Sequence, residues 1–327
     1  MTLRILKYGG VVWLLGWIFF GCAASYPPVN LNGKGYPDLH DTPFFPQETY
    51  QCGPASLAMI LKSSGVDVTP QTLVPLTYVP ERQGSFQPEL LAAARTFGRI
   101  PYVIDPNLNA LADELLAGRP VLVLQNYGLE KIAAYHYAVV IGLQPDETVI
   151  LRSGTTKRYT MSIQSFLMSW LRPGAWGMVA LRPGELPENA DPKRYLQGLA
   201  TFEDIAGPKA AAPAFEAALS KWPDNTMLLF ASGNNALKQN YLAEATTCFK
   251  KTLKIAPEHL GALNNLAHTL ARQGHLKDAK TTILKAKKLA EQQQTRLKDQ
   301  IILTEHEIQE MLEKQELVKK CQTKNNY

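Results

Sequence analysis

Residues 42–61 read TPFFPQETYQCGPASLAMIL, and the second half of this stretch is a buried helix announced by its own punctuation. Pro54 stands where a first helical residue is favoured, Leu57, Ala58, Ile60 and Leu61 supply the apolar face, and Gly65 closes it. Cys52 therefore sits at the mouth of a helix, where unsatisfied amides and the helix dipole favour an anion. Such sites lower a thiol pKa from ~8.5 toward ~3.5–7.5, so the expectation is a reactive thiolate. Gly53 is expected to leave room beside the sulfur for a substrate backbone, and the Cys52 amide is one donor to a developing oxyanion. Gln47, five residues upstream, is the expected second donor, since an amide NH2 donates without titrating. Gln51 adjoins the cysteine and is expected to point away.

A nucleophilic thiol needs a base, and the chain holds six histidines. His259, His268, His275 and His306 fall in a later helical region, and His40 precedes the first strand. His136 opens the run HYAVVIG, whose alternation places its side chain on one sheet face with Ala138, Val140 and Gly142. It is the histidine on a rigid element of the first domain and the expected partner of Cys52. Around these residues further helices are predicted from Pro88 to Gly98 and from Leu108 to Gly118. Strands are predicted over Pro101–Ile104, Val121–Gln125, His136–Leu143, Val149–Leu151 and Gly177–Leu181. Gln144-Pro-Asp-Glu147 reads as a hairpin turn, and Ser162 as the N-cap of a helix carrying Phe166, Leu167, Trp170 and Leu171. Helices first and an antiparallel sheet later make an α+β domain.

Gln47, Cys52-Gly53-Pro54-Ala55 and His136-Tyr-Ala-Val-Val together resemble the bacteriocin-leader-processing peptidases and their secreted relatives, a papain-like family. The resemblance covers about 145 residues. It implies a papain-like cysteine peptidase fold, an ion-paired Cys/His mechanism, an acyl-enzyme on Cys52, and cleavage of peptide bonds, often after small residues. The family orients its histidine with an Asp or Asn, commonly in an Asp-Pro pair near the end of the next strand; here that place reads Leu151-Arg152-Ser153-Gly154. In a hairpin turning at Pro145, Ser153 is expected roughly opposite His136, with its hydroxyl in place of the carboxylate; Gln125 or a backbone carbonyl are the alternatives. Asp146, at the turn tip, is not favoured.

Working outward, Arg182-Pro-Gly-Glu-Leu-Pro-Glu-Asn-Ala-Asp-Pro192 is too rich in breakers for regular structure and divides the chain. The first domain is placed at 38–184. Beyond it everything is helical, with a 34-residue period: Ala211, Ala245 and Ala279 recur in step, as do Phe215, Phe249 and Ile283, then Ala218, Thr252 and Ala286, and Pro223 with Pro257. Small residues let paired helices approach, the large residue fills the groove, and proline stops the second helix. Residues 193–292 thus resemble a tetratricopeptide-repeat solenoid, and 293–327 a helix that caps it.

Toward the other end, Arg4 and Lys7 precede the apolar run Val11–Phe20, which ends at Gly21-Cys22-Ala23. Residues 1–22 read as a signal segment, too short to span a bilayer comfortably. The junction resembles a bacterial lipobox with Cys22 as lipidation site; a plain secretory signal or uncleaved anchor is the alternative. Residues 23–37 read as a flexible tether. The resemblance implies the bacterial cell envelope, lipid-anchored at the outer membrane and facing the periplasm. Export leaves Cys52, Cys248 and Cys321 in an oxidising compartment, an odd set in which one thiol stays unpaired, and a Cys248–Cys321 disulfide remains open.

The formal charge of +5, or +3 without Arg4 and Lys7, comes with no basic stripe interleaved with aromatics, which argues against nucleic acid as a partner. Metal-ligand spacings and phosphate loops are not evident, so no cofactor and no metal are expected. The expected partners are a peptide or protein substrate, a protein held on the repeats, and the membrane through the anchor. The expectation is a tethered thiol endopeptidase. Alternatives are an inactive envelope scaffold acting through its repeats, or acyl transfer to an amine with the same residues.

Overall fold

The computed structural model describes residues 37–47, 51–128, 132–293 and 295–324. The expected signal segment 1–22, the expected lipidation site Cys22 and the expected tether up to residue 36 lie outside the described residues.

The long helix at Cys52 forms as its sequence demands. α1 (Cys52–Ser63) buries every residue from Gly53 to Leu61, and α2 (Pro70–Thr77) and α3 (Gln87–Thr96) follow it, each opening with proline in its first turn. β1 (Ile100–Val103), α4 (Leu108–Leu116), β2 (Val121–Asn126), β3 (Tyr135–Leu143), β4 (Thr148–Ser153), β5 (Thr156–Ser162), α5 (Ile163–Leu171) and β6 (Gly177–Leu181) complete the first part. The strands form one six-stranded sheet in the order β1-β6-β2-β3-β4-β5, and every neighbouring pair is antiparallel. This is the α+β arrangement of helices on an antiparallel sheet, and it fits a papain-like peptidase domain.

Period-two alternation sorts β3 between two cores. Tyr137, Val139 and Ile141 pack with Leu57, Ile60 and Leu61 of α1, while Ala138 and Val140 pack with Leu111, Leu115, Phe166 and Trp170 on the other face. The β3–β4 turn closes through Gln144 N donating to Thr148 O at 2.8 Å, with Glu147 in the left-handed region at φ 58°. Ser162 caps α5 by accepting from the Ser165 amide, as its sequence context predicts.

One strand and one α-helix were not foreseen. β5 is exposed and polar along almost its whole length, so it lacks the apolar alternation by which a strand is recognised; α2 is short and carries Pro75 internally.

The second part is helical: α6 (Pro192–Ala206), α7 (Pro208–Lys221), α8 (Thr226–Lys238), α9 (Leu242–Ile255), α10 (Leu260–Arg272), α11 (Leu276–Gln293) and α12 (Lys298–Lys324). The residues recurring at 34-residue spacing, Ala211, Ala245 and Ala279 with Phe215, Phe249 and Ile283, are all buried at equivalent places in α7, α9 and α11. A Cβ on Gly233 would lie 2.6 Å from the Phe249 ring, which shows how closely α8 and α9 approach. α12 packs on α10 and α11 through Ile301 and Ile308, and Lys287 meets Glu305 at 2.8 Å. Cys248 and Cys321 are free thiols.

The breaker-rich segment does not separate two cores. Tyr195, Leu199 and Phe202 of α6, and Ala211, Phe215 and Leu228 beyond it, belong to the same apolar cluster as the α4/α5 face of the sheet. The segment itself is tied down, since Glu188 N donates to the buried Glu114 carboxylate at 2.8 Å and Arg119 bonds that carboxylate at 2.6 Å. Burial pushes the Glu114 carboxyl up despite the Arg119 guanidinium beside it.

Candidate active site

The site lies where the sheet splits. β3 and β4 pair only as far as Val139↔Arg152, so the backbone of Tyr137 has no strand partner on its β4 side. Cys52 and Gln47 occupy that gap. Gln47 Nε2 donates to Tyr137 O at 3.2 Å and to Ser56 Oγ at 3.3 Å. Gln47 Oε1 accepts from Gly154 N at 3.2 Å, while Gln47 N donates to Gly154 O at 3.0 Å. The amide is therefore fully held, and donation to an oxyanion would require it to release Ser56 or Tyr137.

Cys52 is half-buried against the same backbone. The N–H groups of Tyr137, Gly53 and Cys52 itself point at the sulfur and favour its anion, but burial outweighs them and the thiol pKa is raised. Pro54 has no amide proton, and Ala55 N bonds Gln51 O at 3.2 Å, so Cys52 and Gly53 are the free amides of the turn. Burial likewise lowers the His136 pKa. No hydrogen bond joins the two side chains among the described residues, and charge pairing does not offset either shift. In this conformation burial disfavours the charged form of both groups, the reverse of the direction expected for Cys52 from the helix position alone. The physical reason is desolvation, which three amide dipoles do not overcome.

His136 Nε2 instead meets Ser153 Oγ at 2.9 Å. By register Ser153 is diagonal to His136, not opposite it, since Val139 pairs with Arg152; the side chains bridge the split. Gln125, the other expected orienter, is the true cross-strand partner of His136 but bonds Ser169 Oγ at 2.7 Å and Tyr127. The turn 152–154 thus serves two of the site residues, His136 and Gln47. Ser153 holds His136, Gly154 holds Gln47, and Arg152, a buried cation, donates to His40 O at 2.6 Å, to Thr42 O at 2.9 Å and to Lys157 O, fixing the segment that leads to Gln47.

Gln47, Cys52 and His136 line one cleft of about 1140 Å³, walled by residues 82–87 on one side and Ala133, Tyr135 and Tyr137 on the other. Gln51 is not part of its lining. Gly53 departs from expectation: a Cβ there would lie 2.4 Å from Ser85 Oγ and 2.5 Å from Ser85 Cβ. The space beside Gly53 is filled by the 82–87 wall and not kept open for substrate. Tyr127, which the sequence reading passed over, tilts against His136 with ring centroids 5.8 Å apart. A tyrosine two residues past a strand's inner glutamine carries no pattern that would mark it. Among the described residues no cluster of three or more His, Cys, Asp and Glu could hold a metal.

Residues 39–176 match a family model described as Peptidase_C39 like family. No curated protein matches the chain. The peptidase domain of Streptococcus ComA, described as a bi-functional ABC transporter involved in a quorum sensing pathway, is similar at 23% identity over 43% of this chain and 98% of that domain, with a TM-score of 0.36. The family match supports a C39-like cysteine peptidase domain in the first part of the chain, and with it a peptide or protein substrate.

Proposed function

We propose that the chain is a thiol endopeptidase of the bacterial cell envelope, with Cys52 as nucleophile, His136 as its base, Gln47 as oxyanion donor and Ser153 orienting the imidazole. The observation that carries this reading is the meeting of Gln47, Cys52 and His136 on one cleft at the β3/β4 split. With Nε2 engaged by Ser153, Nδ1 is the nitrogen left to take the thiol proton. In the reaction Nδ1 accepts that proton as Sγ attacks the scissile carbonyl carbon, and the oxyanion draws on the Cys52 amide and Gln47. Collapse expels the amine, protonated by His136, and water then releases the acyl group from sulfur. The lipobox at Cys22 would hold the enzyme at the outer membrane facing the periplasm, and the 34-residue repeats would act as tetratricopeptide units recruiting a protein partner.

The test is thiol-directed. Cys52→Ala should abolish hydrolysis of an unfolded casein substrate and remove the iodoacetamide-reactive thiol of the cleft, with the fold intact by circular dichroism; hydrolysis that persists in this variant ends the proposal.

A specific observation favours a second reading. A neutral hydroxyl stands where a carboxylate is expected, and no bond joins sulfur to imidazole, as in a domain that has lost activity and whose helices do the work. Under that reading wild-type Cys52 alkylates no faster than the same thiol in urea.

A further inference from the structure

The place beside the nucleophile is filled from outside. A Cβ on Gly53 would meet Ser85 Cβ at 2.5 Å and Ser85 Oγ at 2.4 Å, so the Ser85 hydroxymethyl group sits on the helix mouth, against the residue that follows Cys52. Cys52 and Ser85 both line the cleft. The hydroxyl gains nothing in this position. Its oxygen is buried and has no hydrogen-bond partner, which costs free energy that contact with water would return.

The segment that carries Ser85 is bonded mainly to itself. Val79 N donates to Gly84 O at 2.8 Å, Arg82 N to Val79 O at 3.1 Å and Gln83 N to Pro80 O at 3.1 Å. These bonds surround a single 3-10 turn, Pro80–Arg82, closed by Gln83 in the left-handed region at φ 49°. Among the described residues no backbone hydrogen bond ties 79–85 to α1 or to the sheet. None of residues 79–87 is fully buried, and Phe86, beside the serine, is 44% exposed. The turn can therefore shift as one body between the end of α2 and the start of α3 without breaking its own bonds.

We infer that residues 79–87 are a movable wall with Ser85 as its plug. At rest the hydroxymethyl group covers Gly53; an entering polypeptide lifts it away and lays its main chain in the vacated place beside Sγ. This rests on the reading of Cys52 as the nucleophile. It gives Gly53 two uses, because a residue without a side chain is needed to seat the plug and again to let a substrate backbone approach once the plug has gone. The unpartnered hydroxyl sets the balance between the two positions. Closed, it lacks any hydrogen bond; open, it meets water or substrate, so the packing that closes the wall works against a standing penalty.

The experiment compares two thiol reagents of different size on the full chain, with modification of Cys52 read apart from the other cysteines by peptide mass mapping. Iodoacetamide is small enough to reach the half-buried sulfur past the plug, whereas fluorescein maleimide needs the wall open. Ser85→Ala keeps the carbon that fills the space and removes the orphaned oxygen. The closed form gains, and maleimide labelling of Cys52 should slow by about tenfold. Ser85→Gly removes the plug and should speed the same reaction, while iodoacetamide labelling stays close to wild type in both variants. Ser85→Ala should also melt no lower than wild type, since it loses only an unsatisfied buried atom. Maleimide rates that shift in the same direction in the two variants, or do not shift, overturn the inference, as does an iodoacetamide rate that moves in parallel with them or a lower melting temperature for Ser85→Ala. The peptidase reading fails separately: if the wild-type chain hydrolyses no casein while the two variants still move maleimide labelling in opposite directions, the movable wall stands and its use in catalysis does not.

Discussion

Single residues set the chemistry of the cleft by what they exclude. Gly53 is required because Ser85 fills the position of its missing side chain. Gly53→Ala should displace the 82–87 wall, costing about 1–3 kcal/mol in urea unfolding, and Ser85→Gly in the same chain should recover most of it; additive losses would show that the two residues do not touch. The His136 shift yields a second expectation. Its pKa is lowered by burial, so below about pH 6.5 the unfolded chain takes a proton that the folded one resists. Stability should therefore fall as pH drops through that range, with a slope of at most about 1.4 kcal/mol per pH unit. His136→Asn should flatten the curve of unfolding free energy between pH 7 and 5. At this scale the sequence displayed much: Cys52, Gln47, His136 and Ser153 could be singled out because a helix start, a strand start and a short hairpin fix where such residues fall. Tyr127 and Ser85 could not, because their importance comes from tertiary contact with no local signature. The direction of the thiol's pKa shift was also out of reach, since it depends on how deeply the helix mouth is buried.

Secondary-structure elements matter through their ends. The β4–β5 turn carries Arg152, Ser153 and Gly154, and through them it anchors the segment 40–47, the His136 imidazole and the Gln47 amide at once. Arg152→Ala would leave the carbonyls of His40, Thr42 and Lys157 without their donor. A loss of about 3 kcal/mol in chemical denaturation is expected, together with a drop in Cys52 reactivity. Full retention of both would remove the turn from the account. Strongly apolar elements such as β2, β3 and β6 were legible because both their faces are covered, and α1 because proline and glycine bracket it. β5 was not, since an edge strand facing water gains nothing from apolar alternation.

For the molecule as a whole, the telling feature is that α6 and α7 complete the core beneath the sheet. A chain ending after Asp191 should expose the surface that Tyr195, Leu199, Phe202 and Phe215 cover, and should be aggregated or lack a cooperative thermal transition; one ending after Asn240 should keep both. A soluble, cooperatively melting short chain would refute the shared core. The prolines and glycine of 183–192 lie between the last strand and the first helix of the helical part, but breakers report local backbone and say nothing of what packs across them.

The shared core also governs how anything seized by the helical array would meet the sulfur. A hinge would let bound cargo sample a wide volume around the cleft; the apolar cluster that runs from the sheet through α6 and α7 to Leu228 removes that freedom at the junction. Capture on the helices would thus present each polypeptide at one bearing and one range, so the peptide bonds open to attack would be chosen by their distance from the gripped end as much as by side-chain fit.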